Sequence, residues 1–143
     1  MKIDCPILLV EDDPVDVMAI ERAFKQHKVT NPLFVVNDGT LALDFLRHEE
    51  DFSAPESSPR PSIILMDLKM PRMGGLECLR IIKDDENLME IPVVIFTSST
   101  DVMDVRNSYM NGASSYIVKP VTFEKLLEAI SKFELYWTMT ELP

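Results

Sequence analysis

The chain has 143 residues, 46% of them apolar, enough for one domain with a real core. A formal net charge of −10 speaks against the phosphate backbone of nucleic acid as a partner. The opening Met1-Lys2-Ile3-Asp4-Cys5-Pro6 lacks the apolar segment of a secretory signal, and no apolar run approaches the roughly eighteen residues that span a bilayer. Cys5 and Cys78 match neither a metal spacing nor a disulfide framework, and Cys78 falls within a helical pattern as a small core residue. A reduced, cytoplasmic setting without a membrane partner is therefore expected. One domain also leaves no room for a separate output module.

In chain order, Ile7 to Val10 is a short continuous apolar run and predicts a strand, followed by Glu11-Asp12-Asp13. Pro14 suits a helix start, and Val15 to about Gln26 follows as a helix with Val15, Met18, Ala19 and Ala23 expected inward. Leu33 to Val36 predicts the second strand. Asn37-Asp38-Gly39 turns the chain, and Leu41, Ala42, Phe45 and Leu46 mark a second helix. Glu49 to Pro61 reads as a long surface loop of acids, serines and prolines with little to bury; Ser57-Ser58-Pro59 within it favours solvated loop over phosphosite.

Ile63 to Met66 is bounded by Pro61 and Ser62, too short for a helix, and predicts a strand buried on both faces. Asp67 ends it, and Pro71 with Gly74-Gly75 forces a turn. Leu76, Leu79 and Ile82 mark a third helix, Val93 to Phe96 a fourth strand, and Thr97-Ser98-Ser99-Thr100 its end. Asp101 can cap a helix carrying Val102, Val105 and Tyr109 at helical spacing, closed by Asn111-Gly112. Tyr116 to Val118 is the fifth strand and runs into Lys119-Pro120. Phe123, Leu126, Leu127, Ile130, Phe133 and Trp137 repeat along the last helix. His27 and His48 fall on exposed helix faces or ends, with no partner spaced for a metal site.

Strands alternating with helices imply an α/β fold: a flavodoxin-like, doubly wound, parallel five-stranded sheet in the order 2-1-3-4-5. In that order Glu11, Asp12, Asp67, Thr97 and Lys119 end strands along one edge of the sheet. Three carboxylates gathered there repel one another unless a cation joins them, and hard oxygen ligands with open positions suit Mg²⁺. Lys119 adds a positive charge and Thr97 a hydroxyl, so the set describes a pocket for a phosphoryl group carried on Asp67 as nucleophile. Singly, Asp67 could shape a turn, Lys119 make a surface ion pair and Thr97 cap a helix. Five such residues meeting at strand ends favour the pocket.

Glu11-Asp12-Asp13, Asp67-Leu68-Lys69-Met70-Pro71 with Gly74-Gly75, Thr97-Ser98 and Gly112-Ala113-Ser114-Ser115-Tyr116-Ile117-Val118-Lys119-Pro120 together resemble response-regulator receiver domains over about residues 6–135. The resemblance implies a single receiver domain spanning 1–143 with a short C-terminal tail, in which Asp67 takes phosphate from a phosphohistidine on a sensor histidine kinase. It implies that Asp12, Asp67 and the backbone carbonyl of Lys69 hold Mg²⁺ (or Mn²⁺) directly, while Glu11, where the family commonly has Asp, acts through water. It further implies that Thr97, Ser98 and Lys119 meet the phosphoryl group, that Tyr116 joins the switch, and that the bond before Pro120 is cis and aims Lys119 inward. The Pro/Ser loop before the third strand and the ending Tyr136-Trp137-Thr138-Met139-Thr140-Glu141-Leu142-Pro143 are similar to small response regulators paired with phytochromes.

Three other functions compete. An aspartate-nucleophile phosphatase needs an acid two residues after the nucleophile, where this chain has Lys69. A pseudo-receiver that binds partners without phosphorylation would not need the acidic set. A flavin module is disfavoured because Glu11-Asp12-Asp13-Pro14 would repel its phosphate. Apolar residues crowd the chain end beyond what the core requires, and Phe133, Tyr136 and Trp137 predict a homodimer through the last helix.

Overall fold

Three short apolar runs form the centre of the sheet. β1 (Ile7–Val10), β3 (Ile63–Met66) and β4 (Val93–Thr97) are buried along their whole length, whereas β2 (Leu33–Val36) and β5 (Ser115–Val118) are partly open and stand at the edges. This computed structural model describes residues 5–54 and 58–130. The strands pair in parallel in the order β2-β1-β3-β4-β5, as the alternation of elements predicts. Such a sheet needs both faces covered, since its strands alternate side chains between two apolar layers. Leu8, Val10, Ile64, Met66, Val93 and Ile95 face α2 (Gly39–Arg47) and α3 (Gly75–Asp84). Ile7, Leu9, Ile63, Leu65, Val94 and Phe96 face α1 (Pro14–Gln26) and α5 (Phe123–Ile130).

Helix starts follow their capping residues. The Asp13 carboxylate accepts the Val15 N–H at 2.9 Å, Asp38 accepts from Leu41 at 2.9 Å, and Asp101 accepts from Met103 at 2.8 Å. Each such cap stabilises its helix by about 1 kcal/mol. Gly112, at φ 102°, ends α4 (Val102–Met110) in a conformation that side chains resist. Cys78 lies in the core as expected, and burial pushes its thiol up to about 12.

Two helices turn differently from expectation. In α1 the buried residues are Ile20 and Phe24, with Val17 and Ala23 packed beside them; Val15, Met18 and Ala19 point to solvent. The helix carries two apolar stripes, and the one holding the larger Ile20 and Phe24 removes more surface from water. In α4 only Ser108 is fully buried, its hydroxyl donating to the Asp104 carbonyl at 2.7 Å. Val105 is half-buried, while Val102, Met103, Tyr109 and Met110 are exposed.

The loop before β3 also departs from a purely solvated reading. Glu50–Phe52 forms a 3-10 turn, and Phe52 packs edge-on to Phe45 with centroids 5.3 Å apart. Ser58 is buried: its hydroxyl lies 3.0 Å from the Phe52 carbonyl, 3.3 Å from that of Ala54 and 2.9 Å from His48 Nδ1. His48 is thus exposed yet tied to the loop. His27 is half-buried, its ring stacked 4.2 Å from that of Phe123. Ser57, Phe133, Tyr136, Trp137 and the tail lie outside the described residues.

Candidate functional site

Main-chain pairing sets the site before any side chain enters it. Val10 pairs with Met66, so Glu11 and Asp67 leave their strands side by side; the Asp67 N–H donates to the Val10 carbonyl at 3.0 Å, and the Glu11 N–H to that of Val36 at 3.0 Å. Thr97 pairs with Val118, and the Lys119 N–H donates to the Thr97 carbonyl at 2.8 Å. All these residues sit at the carboxyl ends of the strands, where open α/β sheets form their crevice. Just behind, the Gly75 N–H donates to the Leu68 carbonyl at 2.9 Å. The absence of a Cβ on Gly75 allows this approach, since an added one would collide with the Asp67 carbonyl oxygen.

The side chains then converge. Lys119 Nζ lies 2.6 Å from Asp16 Oδ2, 2.9 Å from Glu11 Oε1 and 3.3 Å from Asp67 Oδ2. It also stands 5.3 Å from the centroid of the Phe96 ring, whose face attracts cations. The bond from Lys119 to Pro120 is cis. Glu11 and Asp67 are only 1% and 5% exposed, whereas Asp12 is open to solvent. Ligand oxygens of Glu11, Asp12 and Asp67 lie within 4.8 Å of one another. That all-oxygen donor set, open on the Asp12 side, fits a hard divalent cation such as Mg²⁺ or Mn²⁺. Lys69 and Ser98 line the same cleft, and the Lys69 N–H lies 3.5 Å from Asp67 Oδ1.

Electrostatics follow from burial. Desolvation pushes the Glu11 carboxyl up to about 7, against the pull of the Lys119 hydrogen bond, and the charge on Asp67 pushes the same way as burial. Burial alone would lower the Lys119 pKa; the hydrogen bonds it donates to Asp16 and Glu11 and the charge of Asp67 outweigh it and hold the ammonium above its ordinary value.

Thr97 is buried, and its Oγ1 accepts the Ser99 N–H at 3.4 Å. The half-buried Tyr116 donates its hydroxyl to the Ser99 carbonyl at 3.0 Å. Burial raises the Tyr116 pKa, so the hydroxyl remains a donor. Glu11, Asp12, Asp67, Lys69, Ser98 and Lys119 therefore meet at one cleft, with Thr97 and Tyr116 one residue removed. Sequence reasoning missed Asp16 and Ser99. Asp16 lies in the first turn of α1, where any helix favours an acid, so nothing separated it from an ordinary helix start.

A doubly wound sheet with clustered acids on neighbouring central strands and a lysine after β5 is the architecture of a receiver. The chain matches the response regulator receiver domain over residues 7–131 and belongs to that family of signalling proteins. It is 41% identical over 131 residues to the probable methanogenesis regulatory protein FilR2 of Methanothrix harundinacea, covering 92% of this chain and 82% of that protein. It is 34% identical over 134 residues to the response regulator Rcp1 of Synechocystis sp., covering 94% and 89% of the two chains. Among solved structures, the bacteriophytochrome response regulator RtBRR is similar with a TM-score of 0.84 at 42% identity, over 99% of this chain and 85% of that one. The Mn²⁺-bound form of Rcp1 is similar with a TM-score of 0.77 at 34% identity, over 97% and 99% of the chains. Among the described residues, no helix is long and apolar enough to cross a membrane.

Proposed function

We propose that Asp67 accepts a phosphoryl group from a phosphohistidine of a sensor histidine kinase in a reaction dependent on Mg²⁺ or Mn²⁺. The observation that carries this reading is the Lys119 ammonium shared between Glu11 and Asp67 beside three carboxylates within 4.8 Å. Glu11, Asp12, Asp67 and the Lys69 carbonyl would hold the cation, which when bound offsets the negative charge of the transferred group. An Asp67 carboxylate oxygen attacks phosphorus, the P–N bond of the donor breaks, and its electron pair returns to the imidazole, which takes up a proton. Lys119 stabilises the charge on the phosphoryl oxygens, and Ser98 stands at the rim of the cleft where its hydroxyl can donate to them.

The new charge, roughly −1.5 to −2, then draws the Thr97 hydroxyl inward. Because Ser99 joins Thr97 to Tyr116, the tyrosine follows and reshapes the face made by α4, β5 and α5. The exposed Tyr109, which lines a cleft with Tyr116 of β5 and Lys125 of α5, supports a partner-binding role for that face. Similarity to the bacteriophytochrome response regulator RtBRR supports a phytochrome as the kinase. A homodimer through Phe133, Tyr136 and Trp137 belongs to the same proposal, although these residues are outside the described ones. Sedimentation of wild type against Trp137→Ala tests the dimer.

Intact mass after incubation with a small phosphodonor and Mg²⁺ tests the central step. One phosphoryl group is expected on the wild type, none on Asp67→Asn, and none when EDTA is present. A labelled Asp67→Asn protein, with peptide mapping excluding Asp12 and Asp13, would remove the assignment.

A further inference from the structure

The shortest contact of Lys119 is made to a residue outside the proposed phosphoryl and metal set. Asp16 Oδ2 stands 2.6 Å from Nζ, against 2.9 Å for Glu11 and 3.3 Å for Asp67. An ammonium has three N–H donors and no more. Here all three have carboxylate partners, and the most distant is the residue proposed to carry the phosphoryl group.

The geometry points to Asp16 as a positioning residue that holds the Lys119 ammonium in the resting protein and competes with a phosphoryl group for it. The inference rests on the phosphoacceptor reading of Asp67. A phosphoryl group brings three acceptor oxygens and a charge of roughly −1.5 to −2 to a cleft whose lysine has no unused donor. Lys119 must redirect a donor to reach those oxygens, and its side chain is only 15% exposed, so little water is present to replace a lost partner. Asp16 also places its own negative charge against the incoming one. Both effects weaken the grip on the phosphoryl group. Asp16 is not required to keep Lys119 charged, because Glu11 and Asp67 flank the same ammonium.

A purely structural Asp16 would act otherwise. In the first turn of α1 a carboxylate meets the positive end of the helix, so its loss would lower thermal stability and leave phosphoryl affinity unchanged.

The test measures the affinity of beryllofluoride, a phosphoryl mimic, at saturating Mg²⁺ for wild type, Asp16→Asn and Asp16→Ala. Beryllofluoride affinity is expected to rise about three- to ten-fold in Asp16→Ala, the scale of one partly exposed ion pair. Asp16→Asn, which keeps an acceptor oxygen but no charge, should fall between Asp16→Ala and wild type. If both variants bind beryllofluoride as wild type does, or more weakly, Asp16 is a helix residue and the inference is overturned. A wild type that binds no beryllofluoride at any Mg²⁺ concentration would overturn the phosphoacceptor reading, and this inference with it.

Discussion

Thr97 and Tyr116 are joined through a single intervening residue: the Ser99 N–H donates to Thr97 Oγ1 at 3.4 Å, and the Ser99 carbonyl accepts the Tyr116 hydroxyl at 3.0 Å. On the proposed switch, a pull on the threonine hydroxyl would reach the tyrosine through this residue without crossing the core. Tyr116→Phe should leave Asp67 phosphorylation intact and cost about 1 kcal/mol of stability for the lost hydrogen bond. In NMR spectra with beryllofluoride and Mg²⁺, the Ser99 amide should still shift, while shifts at Val102 to Met110 shrink. Undiminished shifts along α4 would make Tyr116 a packing residue.

The raised Glu11 pKa makes stability depend on pH in a definite direction. Between its ordinary value of 4.5 and the folded value of about 7, the folded protein holds a proton that the unfolded chain has released. Stability of the metal-free protein should therefore fall as pH rises through that window. Binding a cation needs the ionised carboxylate, so Mg²⁺ should bind more tightly as pH passes 7 and release a proton when it does. Thermal melts in EDTA from pH 5 to 8 check this, with Glu11→Gln as reference. The wild-type curve should slope downward relative to the variant; parallel curves would assign the slope to other groups.

Asp38 is a 1% exposed carboxylate held from two sides. One oxygen caps α2 at Leu41; the other takes Arg72 Nε at 2.6 Å and pairs with Arg72 Nη2. Arg72 has a left-handed backbone, φ 62°. Arg72→Ala removes the partner and keeps the unfavourable backbone, so a loss of about 1–3 kcal/mol is expected for the unpaired buried acid. Arg72→Gly loses the same partner and relieves the backbone, and should be less destabilised than Arg72→Ala by about 1 kcal/mol. Urea denaturation of the two variants decides the order.

Gly75→Ala should be among the most damaging single-methyl changes in the chain. The added carbon meets the Asp67 carbonyl oxygen and comes within 2.9 Å of Leu68 Cα, both of them backbone. Neither can rotate away, so α3 must shift from β3 at a cost of about 3 kcal/mol. Calorimetry should show a lowered melting temperature, and Mg²⁺ titration a weakened affinity, because the displaced carbonyl belongs to Asp67, one of the three clustered carboxylates.

What the sequence disclosed and what it withheld divide along a physical line. β1, β3 and β4 were legible because a strand buried on both faces needs an unbroken apolar run, and a run has no orientation to mistake. The acids and Lys119 were legible because parallel topology carries every strand end to one edge. Helix faces were harder. Val15 and Met18 in α1, and Val102 and Tyr109 in α4, have helical spacing, but spacing cannot say which of two stripes meets the sheet. Ile20 and Phe24 prevail through size, and in α4 the small Ser108 turns inward. Asp16 and Ser99 were hidden for another reason: each acts through a contact fixed by a distant element, Lys119 in one case and Tyr116 in the other. Ser58 reads as solvated loop rather than as a buried residue because nothing in a Pro/Ser loop shows that His48 and two carbonyls close around it.

The main-chain bonds of the site have a consequence for time. Asp67 pairs its N–H with the Val10 carbonyl within the ladder that joins the central strands β3 and β1, while Ser99 and Asp101 donate theirs to side-chain oxygens of residues two positions earlier. Opening the first bond means dismantling the sheet; opening the others needs only a local loosening. The amide hydrogen of Asp67 should accordingly exchange with solvent about as slowly as the deepest part of the core, and those of Ser99 and Asp101 far faster. The cleft is thus half clockwork and half spring: one side keeps its shape for the life of the fold, and the other is free to answer an event as brief as the arrival of a phosphoryl group.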